Sequence, residues 1–221
     1  VVPTTVEFMG RKVISLWEKY YDEKFPIANG DGFIILGLDS LTKEELDAEL
    51  KLALAATKKF KAADAVILDA NSEEAKKIWA CREALLLAIQ KSTPKMDEVD
   101  ICVPINHIPD VLHRVDELEQ EVGMRIPNFG HAGDGNLHIY LCSDAMSDEE
   151  FEQKSHYVIT ELYRTAKALD GNMSGEHGIG YARKDWFEDF YGHDYTELLR
   201  KIKHVFDPNY VLNPDKIFPM E

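Results

Sequence analysis

"NFGHAGDGNLHIY", residues 128–140, carries the clearest indication of the fold. Its centre, Asp134-Gly135, lies between two apolar segments, which is the strongest short-range signal for a β-hairpin. A two-residue turn at this pair would place His131 directly opposite His138. Opposed residues project from one face of a sheet with Cβ atoms roughly 4.5–5.5 Å apart. Both imidazoles would then be able to bind one divalent cation.

Alternating strands and helices surround the hairpin. The strands are predicted at 33–39, 64–70 and 99–105, and the helices at 40–60, 72–91, 108–122 and 147–169. Ser or Thr residues mark the starts of three helices. Thr42 with Glu45 and Ser147 with Glu150 have the spacing of capping boxes, and Ser72 is an N-cap without such a Glu. The pattern predicts an α+β fold in which helices pack on a mainly antiparallel sheet.

Three segments are expected along the chain. Residues 1–30 form a leader that packs against something else, residues 31–170 the α+β domain, and residues 171–221 a C-terminal segment. That segment is Gly-rich, then helical, and ends in "FDPNYVLNPDKIF", where two prolines exclude regular helix. The chain opens without Met, so we interpret it as a piece of a longer polypeptide.

Composition excludes some functions. Forty acidic residues against 25 Lys and Arg give a net charge of −15, which argues against a nucleic-acid partner because phosphate binding needs clustered cations. No apolar run approaches the ~18 residues that a membrane span needs. The cysteines, which share no CxxC spacing, are expected to be small core residues in a reducing, cytoplasmic compartment; they are Cys81, Cys102 and Cys142.

A second motif rich in Gly and His is "SGEHGIG", residues 174–180. Glu176 with His131 and His138 would make a His₂Glu set, which is typical of a catalytic metal centre. His177 would then be free for proton transfer. Each motif has a plainer explanation, either a histidine pair on a solvated sheet face or a glycine turn that holds a polar pair. Two such motifs in one chain favour a site.

Arg82 falls in the centre of an apolar stripe on the helix predicted at 72–91. An inward-facing guanidinium needs a carboxylate or phosphate partner to offset its desolvation. One alternative is a structural ion pair with an acidic residue of the chain. The other is the carboxylate of a small substrate, bound bidentately.

The ordered motifs "FGHAGDGNLH", "SGEHGIG" and "DPNYVLNPDKIF" resemble the C-terminal domain of FAD-linked oxidases, over nearly the whole chain. That group includes the glycolate oxidase flavoprotein subunit, D-lactate dehydrogenases and D-2-hydroxyglutarate dehydrogenase, in the vanillyl-alcohol oxidase superfamily. The resemblance implies a ferredoxin-like α+β domain over FAD, which is held mainly by an upstream domain that this sequence lacks. It also implies that the C-terminal segment returns to the flavin.

Site roles follow from the same resemblance. It implies that His131, His138 and Glu176 bind a metal and that His177 is the catalytic base. It also implies that Arg82 binds the substrate carboxylate and that Asn213 and Glu176 contact the cofactor. The metal set fits Zn²⁺, with Fe²⁺ and Mn²⁺ as alternatives. A metal on the 2-hydroxyl and a base at His177 would support hydride transfer to the flavin and yield a 2-oxo acid.

Two departures from the family pattern concern the substrate. Family members acting on hydroxy-dicarboxylates carry Thr where this chain has Leu86, and others carry Asn where it has Tyr140. Both changes indicate a small monocarboxylate such as D-lactate or glycolate. The stretch "MDEVDICVP" resembles lactate dehydrogenases that pass electrons to an electron-transferring flavoprotein, which implies such a partner.

Two other functions remain open at this point. The His₂Glu set would also suit a metal-dependent hydrolase with His177 as its base. The acidic surface would also suit a non-catalytic module that docks a partner protein.

Overall fold

A computed structural model describes residues 1–60, 62 and 64–218. Five strands form one sheet in the order β2-β1-β4-β5-β3. Their bounds are β1 Thr5–Gly10, β2 Gly32–Gly37, β3 Lys95–Cys102, β4 Asn128–His131 and β5 Asn136–Ser143. β1 pairs antiparallel with both β2 and β4. The sheet and its helices confirm the predicted α+β class.

Seven α-helices lie in the described part of the chain. They are α1 Arg11–Tyr21, α2 Lys43–Lys59, α3 Glu73–Ser92, α4 Ile108–Val122, α5 Asp148–Ala168, α6 Phe187–Tyr191 and α7 His193–Phe206. The predicted caps are present, since the side chains of Thr42, Ser72 and Ser147 each accept a backbone N–H three residues ahead. Among the described helices, none has the combination of length and apolar composition that a bilayer span requires.

The chain divides into two compact units. Unit 1 comprises Val1–Glu98, Gly123–Asp134 and His138–Met146. In it α1 packs against α3, and the core residues share near-complete burial: Met9, Val13, Ile14, Trp17, Phe25, Phe33, Ile78, Cys81, Leu85, Ala88, Ile89, Phe129, Tyr140 and Cys142. Residues of α3 enter this core at three- and four-residue spacing, as one face of a helix does.

Unit 2 comprises Val99–Val122, Gly135–Leu137 and Ser147–Glu221. Its main layer is α4 packed against α5, followed by α6 packed against α7. The inward faces of α4 and α5 carry aliphatic residues with almost no exposure, namely Val111, Val115, Leu118, Val158, Ile159 and Leu162. α7 ends at Phe206, immediately before Asp207-Pro208, as the proline-containing tail predicts.

The turn of the hairpin is longer than predicted. It occupies residues 132–135 rather than Asp134-Gly135 alone. The Tyr140 N–H donates to the Pro127 carbonyl at 3.0 Å. Continued along the two strands, this register places Phe129, not His131, opposite His138. The two-residue prediction was therefore wrong, because four turn residues shift the pairing by two positions.

The strand predicted at 64–70 is also wrong, since this segment has no strand pairing. Val66 and Ile67 are 54% and 58% exposed. The Asp64 and Asp69 carboxylates accept backbone N–H groups of Ala65 and Asn71, both at 2.8 Å. Such local bonds compete with a strand ladder, and a short apolar run does not by itself establish a strand.

Residues 1–30, expected to be a leader, contain β1 and α1, which belong to unit 1. β1 lies between β2 and β4, and Met9 and Val13 are fully buried. The relation of these residues to an upstream flavin-binding domain stays a prediction, as does the return of residues 171–221 to the flavin. β3 begins at Lys95, four residues before the predicted start at Val99.

Candidate functional site

The two hairpin histidines are adjacent even though they are not directly opposed. The ring centroids of His131 and His138 are 5.3 Å apart, and the rings are nearly perpendicular. The His138 ring lies 5.4 Å from that of Phe129, its partner in the hairpin register. Diagonal neighbours in an antiparallel pair are within reach of ring-sized side chains. The predicted proximity of the imidazoles is thus present, although the predicted register is not.

His138 is the buried member of the pair. It is 4% exposed, and its Nδ1 lies 3.9 Å from Glu98 Oε1 in unit 1. His131 is more open, with a side chain that is 36% exposed. The pair therefore offers a ligand two neighbouring imidazoles, of which His138 is buried and His131 is accessible to solvent.

Glu7 on β1 is the partner of His131. The two residues are directly paired across β1 and β4, and His131 Nδ1 lies 2.9 Å from Glu7 Oε1. Glu7 is only 7% exposed. A carboxylate accepts hydrogen bonds and does not donate them, so in the neutral form of His131 this contact places the proton on Nδ1 and leaves the lone pair on Nε2.

Arg82 on α3 binds the same carboxylate. Its Nε and Nη2 lie 2.9 and 2.6 Å from Glu7 Oε2. The guanidinium also stacks over the Phe129 ring at 4.6 Å from the centroid, an arrangement that favours a cation. Of the two alternatives for Arg82, the ion pair is therefore present; its contact with a substrate stays a prediction.

In unit 2, Asp100 organises the second motif. Its Oδ2 accepts hydrogen bonds from the Ser174 hydroxyl at 2.7 Å and from the N–H groups of Gly175, Glu176 and His177 at 3.1, 3.0 and 2.8 Å. Three successive amides that converge on one oxygen form an anion-binding concavity. Here a side chain of the same unit occupies that concavity.

Burial raises the pKa of Asp100. The hydrogen bonds from the His177 N–H, the Ser174 hydroxyl and the Glu176 N–H act in the opposite direction and prevail, so the pKa lies below its ordinary value. The ionised carboxylate is therefore the form that holds the loop.

Backbone pairing brings the loop to Asp100. Asn172 and Cys102 exchange two N–H to carbonyl hydrogen bonds at 2.7 and 3.1 Å, which places residues 174–177 beside β3. Gly175 then packs on Asn136 of the first motif. A Cβ at Gly175 would lie 2.3 Å from the Asn136 side chain, which is closer than any side chain permits.

Glu176 and His177 are the exposed side chains of this loop, at 51% and 44%. Glu176 Oε1 lies 3.8 Å from His177 Nε2. Both residues belong to unit 2, whereas His131 and His138 belong to unit 1. The predicted joining of Glu176 to the histidine pair stays a prediction, as does the cofactor role of Glu176.

Asn213 lies in the tail beyond α7 with a left-handed φ of 44°. The tail is held by Asp207, whose carboxylate accepts hydrogen bonds from Lys203 Nζ and from the N–H groups of Val211 and Leu212. The role of Asn213 toward a flavin stays a prediction.

Sequence reasoning missed three acidic residues of these sites, namely Glu7, Glu98 and Asp100. Their signal was a charged residue placed between apolar ones, as in "VEFM" and "EVDI". In a strand pattern that signal cannot be told from an exposed polar face until the neighbours of the strand are known.

The donor set of unit 1 fits a borderline-soft divalent metal. Two imidazoles in contact offer neutral nitrogen donors, which Zn²⁺, Fe²⁺ and Mn²⁺ accept. The carboxylate behind His131 is the usual second partner of a metal-bound histidine.

Comparison with known proteins gives a consistent family. The family model for FAD linked oxidases, C-terminal domain, matches residues 1–217. A D-lactate dehydrogenase of Anaerostipes hadrus is 35% identical over 222 residues, covering 98% of this chain and 46% of that protein. A D-2-hydroxyglutarate dehydrogenase of Stutzerimonas stutzeri (strain A1501) is 33% identical, over 69% of this chain and 33% of that protein.

More distant similarities extend the set. The glycolate oxidase subunit GlcD of Bacillus subtilis (strain 168) is 27% identical over 99% of this chain and 46% of that protein. The fold resembles that of p-cresol methylhydroxylase with substrate bound, with a TM-score of 0.62 and 14% identity over 97% of this chain and 47% of that one. The chain spans less than half the length of the curated relatives it matches. By the match over residues 1–217 and the identity to these relatives, it belongs to the family of FAD linked oxidases as their C-terminal domain.

Proposed function

We propose that this chain is the substrate- and metal-binding domain of a FAD-dependent dehydrogenase that oxidises a small 2-hydroxy acid, D-lactate or glycolate, to the 2-oxo acid. The observation that carries the proposal is the family match over residues 1–217, joined by relatives named for D-lactate, D-2-hydroxyglutarate and glycolate.

In this proposal each residue has one task. Arg82 binds the substrate carboxylate, while His131, His138 and Glu176 hold a divalent metal, Zn²⁺ or else Fe²⁺ or Mn²⁺. His177 takes the proton of the 2-hydroxyl. A bound metal supplies Lewis acidity to that hydroxyl, and a bound flavin supplies the acceptor for the hydride of C2. Loss of one proton and one hydride converts the hydroxy acid into its oxo acid.

Leu86 and Tyr140 support a monocarboxylate substrate. Leu86 follows Arg82 by one helical turn and is 36% exposed. Its aliphatic side chain has no hydrogen-bond donor for a second carboxylate. Tyr140 is 1% exposed and stacks on Phe129 at 5.5 Å, so its ring belongs to the core of unit 1.

The test is anaerobic reduction of the flavin in the full-length protein. D-lactate and glycolate are expected to bleach the flavin spectrum rapidly, and D-2-hydroxyglutarate and L-lactate slowly. His177→Asn is expected to keep the flavin but slow the bleaching by about 10²- to 10⁴-fold, with His113→Asn on α4 as the matched control. A full-length protein without flavin absorbance would contradict the proposal. Metal-dependent hydrolytic activity would instead favour the alternative function, a metal-dependent hydrolase.

The electron acceptor is proposed from the "MDEVDICVP" resemblance. An electron-transferring flavoprotein should reoxidise the reduced enzyme faster than a neutral dye at equal concentration. Equal or slower reoxidation would remove this partner from the proposal.

A further inference from the structure

Glu7 is a buried carboxylate of unit 1 with three nitrogen partners. It is 7% exposed and lies within hydrogen-bond distance of His131 Nδ1 and Arg82 Nε, both at 2.9 Å, and it forms an ion pair with Arg82 Nη2 at 2.6 Å. The two oxygens divide these partners, because Oε1 takes the imidazole and Oε2 the guanidinium. One side chain therefore fixes two others that come from different elements, β4 and α3.

The position of Glu7 follows from sheet register. Glu7 on β1 pairs with His131 on β4, so their side chains project from the same face of the sheet. Arg82 reaches that face from α3, with its guanidinium stacked on Phe129. Because β1 is paired on both edges, with β2 and with β4, its register fixes the face of the sheet from which Glu7 projects.

The bond to Oε1 selects one form of His131. An ionised carboxylate accepts from Nδ1–H, so among the two neutral tautomers it favours the one in which Nε2 is unprotonated and able to bind a cation. The bond to Oε2 restrains the guanidinium through Nε and Nη2. Arg82 is thereby held at one angle above Phe129, which restricts the directions from which Nη1 can donate to a ligand.

We propose that Glu7 is a positioning residue that sets both groups at once, the tautomer of His131 for a divalent metal and the orientation of Arg82 for a substrate carboxylate. This inference rests on the proposed function, in which His131 is a metal ligand and Arg82 a substrate-binding residue. Glu7 itself touches neither metal nor substrate, so its effect is transmitted through those two side chains.

Glu7→Gln is the variant that tests it, in the full-length protein. An amide has one acceptor and one donor end, so it can satisfy His131 or Arg82 but not both in their present form. We expect the dissociation constant for Zn²⁺, measured by competition with a chromophoric chelator, to rise about 10- to 100-fold. We also expect KM for the hydroxy acid to rise.

Two comparisons separate positioning from general loss of structure. Glu18→Gln alters a second, partly buried Glu–Arg pair of unit 1, in which Arg11 Nη2 lies 3.1 Å from Glu18 Oε2, and is expected to leave Zn²⁺ affinity unchanged. In a His131→Ala background, Glu7→Gln is expected to have no further effect on Zn²⁺ affinity, because its route to the metal has been removed.

A spectroscopic readout is independent of turnover. Long-range ¹H–¹⁵N correlation of histidine-labelled, metal-free protein should show His131 as the Nδ1–H tautomer in the native chain and lose that preference in Glu7→Gln. An Nε2–H tautomer in the native chain would overturn the inference, as would additive effects of Glu7→Gln and His131→Ala. A third outcome separates the two proposals. If His131 has the expected tautomer but no hydroxy acid reduces the flavin, the proposed function is refuted while the structural role of Glu7 remains.

Discussion

Gly135 lies so close to the backbone of Val103 that a Cβ on Gly135 would be 1.8 Å from the Val103 carbonyl oxygen. The Gly135 carbonyl also accepts the Val103 N–H at 3.1 Å. At φ +86° the residue has a left-handed backbone, which glycine adopts without strain. The turn of the first motif is thus fixed by backbone packing within unit 2.

Gly135→Ala is expected to destabilise the protein by more than about 3 kcal/mol, because backbone atoms must move and the left-handed φ becomes strained. Gly123→Ala is the matched control, since Gly123 has φ +63° but no atom within 4 Å of an added Cβ; it should cost about 1 kcal/mol. Urea denaturation measures both. Equal losses would mean that φ alone, and not the Val103 contact, requires glycine.

Asp100→Ala is expected to free the loop that carries Glu176 and His177. Three loop amides lose a charged acceptor in this variant. A hydrogen bond to a charged group contributes about 1.5–3 kcal/mol to stability. Hydrogen exchange of a peptide spanning residues 174–178 should accelerate strongly, and less so in Asp100→Asn, which keeps one acceptor. Unchanged exchange in Asp100→Ala would show that the loop is held by other contacts.

Asp207 is expected to stabilise unit 2 in a pH-dependent way. Its hydrogen bond from Lys203, together with those from the Val211 and Leu212 amides, lowers the pKa of Asp207 below its ordinary value of 3.8. As the pH falls, Asp207 is therefore protonated in the unfolded chain before it is protonated in the folded chain, and the folded state loses stability. The melting temperature of the native chain should exceed that of Asp207→Asn at neutral pH.

This difference should shrink as the pH falls through the lowered pKa of Asp207. Asp47→Asn on the exposed face of α2 controls for the loss of one carboxylate. A gap in melting temperature that stayed constant from neutral to strongly acidic pH would contradict the assignment.

Arg82→Lys is expected to raise KM for the hydroxy acid by about 10- to 100-fold with a smaller change in kcat, because an ammonium lacks the planar set of donors with which a guanidinium can bind Glu7 and a substrate carboxylate at the same time. Arg114→Lys is the control, since Arg114 binds three glutamates on α4 and α5. Steady-state kinetics of the full-length enzyme measures both. If Arg82→Lys lowered only the melting temperature, the ion pair with Glu7 would be its whole role.

Local sequence signals predicted the elements well where they were strong. The capped helices α2, α3 and α5 begin where Thr42, Ser72 and Ser147 indicate, because a cap is satisfied within one turn of chain. The segment at 64–70 failed as a strand, since a strand exists only when another strand pairs with it. β1 was missed for the same reason: its partners lie at residues 32–37 and 128–131.

For the candidate site, the proximity of His131 and His138 was predictable from local sequence, because a short turn keeps the two strands that carry them together. The contacts that hold the two side chains depend on long-range packing. Glu7 lies 124 positions from His131 and 75 from Arg82 along the chain, and no local pattern connects them. A buried ion pair forms only where a particular strand contacts a particular helix. That contact is set by the packing of the whole unit and not by the residues of the pair.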